Sequence, residues 1–303
     1  MRGHVHFVTA SVADMGDGDG WTRCEQGHKH WGRFGASGLL PYHRGPDGVV
    51  HVLLQKRGAF GPGGGTWGMF GGANHSHEDP ITGAIRETGE ESTFDASDAD
   101  LIGTRTEDHG NWSFTSVVMS VPEMTAVRGV SFETRRAAWV PVDKVEALKL
   151  FAPFAGTWPV LREALFEVVL IVDAANVVGA RAEHGWWRDR AGANARLRDD
   201  LAVIAEGVTD LPGVPVPYDT AYPAIVQAVE GAARSVSSSD WVEVSPAPGS
   251  GDDHIVELVA GTGPGEKALV ITADRELKTR VAAAGGAVAG PRWLLGRLGA
   301  RSG

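Results

Sequence analysis

Hydrophobic and polar positions divide the chain into two stretches with different patterns. In the first, strand-like segments surround one helical pattern. Ile81, Ala84, Ile85 and Thr88 recur at i, i+3, i+4 and i+7, which predicts a helix with one apolar face. Asp79-Pro80 marks its start, Asp79 as the N-cap and Pro80 at the first helical position. Upstream, Gly35–Leu40 and Gly48–Gln55 read as a hairpin around the turn PYHRGPDG. Ala59–Gly71 is too rich in glycine for regular structure, and Met1–Gly20, ending in DGDG, reads as weakly ordered. Downstream, Leu101–Val121 ends in strand-like alternation and RAAWVPV reads as a further strand. Val145–Leu165 reads as a closing helical segment, interrupted near Pro153 and Pro159.

From Phe166 the pattern changes. Short apolar strands (Val168–Val172, Ile225–Val229, Trp241–Val244, Leu269–Thr272) alternate with helical segments (Trp187–Glu206, Asp253–Val259, Arg275–Ala284). Such alternation predicts a mostly parallel sheet flanked by helices. The 303 residues therefore read as two α/β domains, 1–165 and 166–303.

Composition narrows the classes. No apolar run reaches a membrane span; the longest candidate, Val168–Val172, stops at Asp173. The N-terminus lacks the apolar core of a signal peptide. Cys24 is the only cysteine, which excludes an intrachain disulfide and fits a reducing cytoplasm. A formal net charge of -10 argues against broad electrostatic binding to nucleic acid.

The chemistry concentrates in GGANHSHEDPITGAIRETGEESTF, Gly71–Phe94. Glu87, Glu90 and Glu91 share a helix face at i, i+3 and i+4, where like charges repel. A hard divalent cation would turn that repulsion into attraction. Arg86 is placed to orient one of the carboxylates. Gly72, Glu78 and Arg86-Glu87-Thr88-Gly89-Glu90-Glu91 resemble the Nudix box, Gx5Ex7REUxEExGU. Thr88 stands where an aliphatic residue is usual. Thr93 replaces the glycine that would ease a left-handed helix exit, so a shifted helix end is expected. Gly89 costs about 1 kcal/mol inside a helix, which suggests tight packing or close substrate approach. The resemblance implies an α/β/α sandwich with a mixed sheet. It also implies Mg²⁺ (or Mn²⁺) held by Glu87, Glu90, Glu91 and the Gly71 carbonyl, with Glu133, or second Glu107, completing the set.

Other residues admit two readings. Lys56 and Arg57 end a strand and are placed either to reach a diphosphate or to be solvated. Asp108, His109, Trp112 and Phe114 offer a base-recognition wall, or, for the two aromatics, core packing. Cys24, His28 and His30 can be read as zinc ligands. Structural zinc usually takes four ligands, so an entry strand with polar edges is the favoured reading.

In the second domain an acidic residue follows each strand: Asp173, Glu230, Asp252-Asp253 and Asp274. If the strands are neighbours, these carboxylates converge on the rim where open α/β sheets bind ligands, and cations for phosphodiester cleavage would resolve the repulsion. Asp173-Ala174-Ala175-Asn176, Gly251-Asp252-Asp253-His254-Ile255 and Thr272-Ala273-Asp274-Arg275 resemble NYN/PIN-like ribonucleases. That resemblance implies a PIN-like domain with Asp173, Asp253 and Asp274 as its main catalytic and metal-binding residues. Asp252 and Glu230 support them, and Asn176 bonds a carboxylate or phosphate. Arg181, Arg188, Arg190, Arg196 and Arg198 are placed to contact RNA, or to form a solvated face with Asp199 and Asp200.

Together these expectations describe a cytoplasmic hydrolase. Its first domain would split the diphosphate of a nucleoside diphosphate linked to another group. Its second would cleave RNA, or only bind it. The alternative is a sensor that binds a nucleotide without hydrolysis and regulates the second domain.

Overall fold

A computed structural model describes residues 16–59, 63–181 and 187–299. They divide into two compact units: residues 16–165 with Pro217–Asp219, and Phe166–Val216 with 220–299. Among the described residues, no helix is long and apolar enough to cross a membrane.

The first unit opens with an antiparallel hairpin, β1 (Trp21–Arg23) and β2 (Lys29–Trp31). Its main sheet contains β3 (Ala36–Arg44), β4 (Val50–Arg57), β5 (Trp67–Gly68), β6 (Phe70–Ala73), β7 (Asp100–Asp108), β8 (Ser113–Ser120) and β9 (Thr134–Pro141). The order runs β7-β8-β3-β4-β5, with β6 on β3 and β9 on β4. β3 and β8 are parallel and the other pairs antiparallel, so the sheet is mixed. Leu39, Leu40, Val52, Leu53, Leu54, Val117 and Val118 are fully buried in continuous runs, as expected of strands covered on both faces. Helix α1 (Pro80–Glu91) packs on β3 and β6.

Three expectations change here. Residues 1–15 lie outside the described residues, but 16–20 are held: Arg33 N–H donates to Gly18 O and Gly32 N–H to Gly20 O, both at 2.8 Å. The end of the glycine-rich stretch forms β5 and β6, because β4 and β3 offer it ladder partners; residues 60–62 lie outside the described residues. The closing segment is a 3₁₀ turn, Val142–Ala147, then α2 (Ala152–Glu163). Pro153 sits in the first turn of α2, where a missing N–H costs little, and the helix runs on through Pro159.

The second unit contains β10 (Glu167–Asp173), α3 (Ala174–Arg181), α4 (Arg190–Ala205), β11 (Thr220–Ala221), β12 (Ala224–Val229), β13 (Val242–Pro246), α5 (Gly251–Ala260), β14 (Glu266–Ile271), α6 (Arg275–Ala283), β15 (Ala287–Ala289) and α7 (Pro291–Gly299). Its sheet runs β13-β12-β10-β14-β15 and is parallel throughout. One face of the sheet packs Ile171, Val226 and Val270 against Ile255 and Val259 of α5 and Leu277 and Val281 of α6. The winding reverses between β10 and β14, so the two strand ends there border a topological switch point. The sequence pattern missed α3, α7 and β15. α3 starts directly after its strand and α7 opens on proline, while β15 has only three residues.

Candidate active sites

Asp79 caps α1: its Oδ1 accepts from Ile81 N–H at 2.9 Å and from Thr82 N–H at 3.1 Å, and Pro80 stands in the first turn. The buried face of the helix is Gly83, Ala84, Thr88 and Glu91, while Ile81 and Ile85 are only half-buried. The apolar stripe is thus rotated towards Glu91, which carries a carboxylate inward. Thr88 fits its buried position because its hydroxyl donates to Ala84 O at 2.6 Å. The helix leaves through Ser92 in extended backbone (φ -147°), and Thr93 bonds Arg128 through both N–H and Oγ1. No left-handed exit exists, so Thr93 needs no glycine. Gly89 is not tightly packed: a β-carbon there would meet nothing within 4 Å.

Arg86 organises the acidic face. It forks onto Glu78 at 2.7 and 3.1 Å, donates to Ala73 O at 2.9 Å, and reaches Glu87 at 3.0 Å and Glu90 at 3.3 Å. Glu78 also accepts from His75 N–H at 2.7 Å, so it fixes the loop as well as the arginine. Glu91 accepts from Gln55 Nε2 at 2.8 Å and Gly71 N–H at 3.3 Å. Gln55 is held in turn by Thr134 Oγ1 at 2.6 Å. Gln55 carries no motif signature; its only signal in the sequence is an amide within a buried strand run.

Burial, chiefly, pushes the Glu87 carboxyl up to about 7 against the attraction of Arg86, and Glu90 and Asp19 add repulsion. Burial likewise pushes Glu91 up to about 7 against its bond from Gly71, with repulsion from Glu87 and Glu133. Glu90 differs, with a side chain 61% exposed. Glu133 lies within electrostatic reach of Glu91, whereas Glu107 is taken by a hydrogen bond from Thr157. Two glycines let these groups approach. Gly72 has no β-carbon to displace the Glu87 carboxylate. Gly71 sits at φ +147°, with Gly38 Cα 2.5 Å from where its β-carbon would be. Arg57 lies over the Phe151 ring at 4.9 Å and attracts Glu91. Asp17, from the segment expected to be weakly ordered, accepts from Ser76 at N–H and hydroxyl, at 3.0 and 2.5 Å.

The donor set of α1 suits a hard divalent cation. Two desolvated carboxylates repel each other, and the bonds above leave one oxygen of each for a further partner.

In the second unit, Asp173 ends β10 and is buried. Its oxygens accept from Asn176 N–H at 3.1 Å and Thr272 Oγ1 at 2.8 Å. Asn176 Oδ1 accepts from Ala273 N–H at 2.8 Å, and Asp274 caps α6 through Leu277 N–H at 2.7 Å. Burial pushes Asp173 up, and Asp252 and Glu230 add repulsion. Burial also pushes Asp252 up, with Asp274 and Glu230 opposing its charge. Asp252 therefore repels Asp173, Glu230 and Asp274 across the rim, and Glu230 also repels Asp173. Asp253 does not take the expected central place: it is paired with Arg280 at 2.5 Å and 62% exposed. Two candidate RNA contacts are also committed to partners. Arg181 pairs with Asp200 at 2.7 Å, and Arg198 pairs with Asp199 at 2.6 Å.

The proposed base-recognition wall is not a free surface. Trp112 is 8% exposed, is stacked by His30 at 3.9 Å, and donates Nε1–H to Gly32 O at 3.0 Å. Phe114 packs on the small core of Cys24, Ala36 and Trp112. His109 lies with Cys24, His28 and His30, the four ligand atoms all within 4.8 Å of one another. The sequence showed three of these together; the fourth comes from the distant β7–β8 turn.

Residues 39–159 match the NUDIX domain family. A putative 8-oxo-dGTP diphosphatase 3 of Mycobacterium tuberculosis is 40% identical over 157 residues, 49% of this chain and 71% of that protein. A nucleoside triphosphate pyrophosphatase/Nudix hydrolase fusion protein of Bifidobacterium longum is 42% identical over 146 residues, 47% of this chain. The chain covers 30% of that relative's length. The crystal structure of a Nudix hydrolase from M. smegmatis, RenU, is 35% identical, covering 48% of this chain and 94% of that one, with a TM-score of 0.45. The chain belongs to the Nudix family through its first unit.

Proposed function

We propose that the first unit is a Mg²⁺-dependent (or Mn²⁺-dependent) pyrophosphohydrolase acting on a nucleoside diphosphate linked to another moiety. The observation that carries this reading is the mutually repelling pair of half-buried Glu87, against Gly72, and buried Glu91, bonded by Gly71 N–H, both carboxyls pushed up to about 7. Glu90, Glu91 and the Gly71 carbonyl would hold the ion directly and Glu87 through a bound water, with Glu133 the further acidic residue. When bound, Mg²⁺ supplies charge neutralisation at the phosphoryl oxygens and makes water a better nucleophile.

The chain's own groups do the rest. Glu87 takes the proton of the attacking water. Arg86 fixes the orientation of Glu87 from its own anchorage on Glu78. Arg57 and Lys56, at the end of β4, meet the diphosphate. The names of the two relatives add nucleoside triphosphates to the compounds to be screened. The test is release of phosphate or nucleotide with Mg²⁺. Turnover by the intact chain and none by Glu91→Gln supports the reading; equal turnover by both refutes it.

A second reading concerns the other unit, where Asp173, Asn176 and Asp274 border the switch point between β10 and β14. We propose an NYN/PIN-like, metal-dependent endoribonuclease, with Asp173, Asp252 and Asp274 as its principal carboxylates and Glu230 in support. Its test is cleavage of labelled RNA with Mn²⁺ by wild type and by Asp173→Asn.

A further inference from the structure

The ligand-type side chains gathered most closely among the described residues lie outside the acidic helix. Cys24, His28, His30 and His109 bring one sulfur and three imidazoles together, every ligand atom within 4.8 Å of the others. Three come from the β1–β2 hairpin and its turn. Cys24 N–H donates to His28 O at 3.0 Å and Gly27 N–H to Cys24 O at 2.9 Å, a tight loop that turns both side chains to one side. His109 arrives from the β7–β8 turn, where its N–H donates to Trp112 O at 2.9 Å.

Hydrogen bonding does not explain this gathering. His30 Nε2 and His109 Nδ1 are buried and have no hydrogen-bond partner. Two such nitrogens side by side cost desolvation energy that no protein donor or acceptor returns. The imidazole rings of His30 and His109 are 4.8 Å apart, and the ring of His28 lies 6.1 Å from that of His109. Trp112 stacks on His30 and fixes its plane, as outer partners of metal ligands do.

We propose that Cys24, His28, His30 and His109 bind one zinc ion in a closed, tetrahedral CysHis₃ site. Zn–S and Zn–N bonds of ~2.3 and ~2.0 Å imply ligand–ligand edges of ~3.3–3.5 Å, so the widest separation needs to close by a little over ~1 Å. One thiolate with three imidazoles is a borderline-soft set that suits zinc and disfavours Mg²⁺. Four protein ligands leave no open position, so the role is structural. The site would tie the hairpin to the β7–β8 turn. A two-stranded hairpin is marginal alone, and the site would add to the links already made by Asn111 Nδ2 to Arg23 O at 3.1 Å and Trp112 Nε1 to Gly32 O at 3.0 Å.

The test uses the full chain, purified without a histidine tag, with metal content measured by mass spectrometry. The expected result is one zinc per chain in wild type and in Glu91→Gln. Cys24→Ser and His109→Asn should lose most of it, while His109→Cys, which supplies another ligand, should keep it. Exchange of wild type with Co²⁺ should give the visible bands of tetrahedral cobalt together with thiolate charge transfer. That spectrum decides the matter should the variants fail to fold. Wild type that holds no zinc and gives no such bands with Co²⁺ overturns the assignment. So does zinc that persists in Cys24→Ser and His109→Asn, or that disappears in Glu91→Gln.

Discussion

The carboxylate of Glu87 fills the space that a β-carbon on Gly72 would take: its Cδ lies 2.5 Å from that position. The helix and the strand before it meet here with one acidic side chain between them. Gly72→Ala should therefore displace the carboxylate. Because the group that yields is the end of a flexible side chain, the fold should survive. Misplacement of about 1 Å at a reacting group costs ~10²-fold in rate. Hydrolysis should fall by about that factor with little change in melting temperature. Full activity in Gly72→Ala would contradict the role given to Glu87.

The raised carboxyls predict an unusual dependence of stability on pH. Glu87 and Glu91 bind protons more tightly folded, at about 7, than at the ordinary value of 4.5. Their contribution is therefore favourable at acid pH, is lost as pH rises from 4.5 to 7, and stays lost above that. Each proton is worth ~1.4 kcal/mol per pH unit across that window. Urea midpoints of metal-free protein at pH 5 and pH 8 should show the loss, and Glu91→Gln should reduce it. Mg²⁺ should raise the melting temperature more at pH 8 than at pH 5, since it binds the ionised form. Equal stabilisation at both values would count against a cation at these carboxylates.

The off-pattern Thr88 should prove tolerant. Its hydroxyl bonds only Ala84 O within the same helix. Thr88→Val keeps the shape and leaves no buried donor unpaired, so stability should change by less than about 1 kcal/mol. Activity should be retained. A large loss of turnover in this variant would show that the threonine does more than fill its place.

In the second unit the two adjacent aspartates should separate cleanly. Asp252 is repelled by Asp274 and Glu230 and attracted by Arg280 without an ion pair, whereas Asp253 is paired directly with Arg280 at the surface. Asp252→Asn should abolish RNA cleavage along with Asp173→Asn, while Asp253→Asn should retain it and cost no more than ~1 kcal/mol of stability. The reverse pattern in an RNA and Mn²⁺ assay would refute this arrangement.

Local signals are visible in the sequence and distant contacts are not. Asp79-Pro80 and the period from Ile81 located α1 because capping and helical spacing are local. The parallel sheet of the second unit was legible for the same reason, in apolar runs from Val168 to Thr272. What escaped depends on distance along the chain. Gln55 holds Glu91 of α1 from strand β4, and His109 joins Cys24 from a distant turn. Asp17 docks on Ser76 from a segment that looked weakly ordered by composition. Asp253 and Asp252 are chemically equal in the sequence, and the direct ion pair of Asp253 with Arg280, one helix later, distinguishes them. Gly89 weakens the helix by its backbone freedom, yet no neighbour crowds it.

The most direct measurement is a screen of nucleoside diphosphate compounds and nucleoside triphosphates with Mg²⁺, run in parallel on the intact chain and on Glu91→Gln. The expected result is that at least one compound is hydrolysed at its diphosphate bond by wild type, that chelation stops it, and that the variant folds but does not turn over. Tight binding of a nucleotide by wild type with no hydrolysis under any metal, or undiminished hydrolysis by Glu91→Gln, would contradict it.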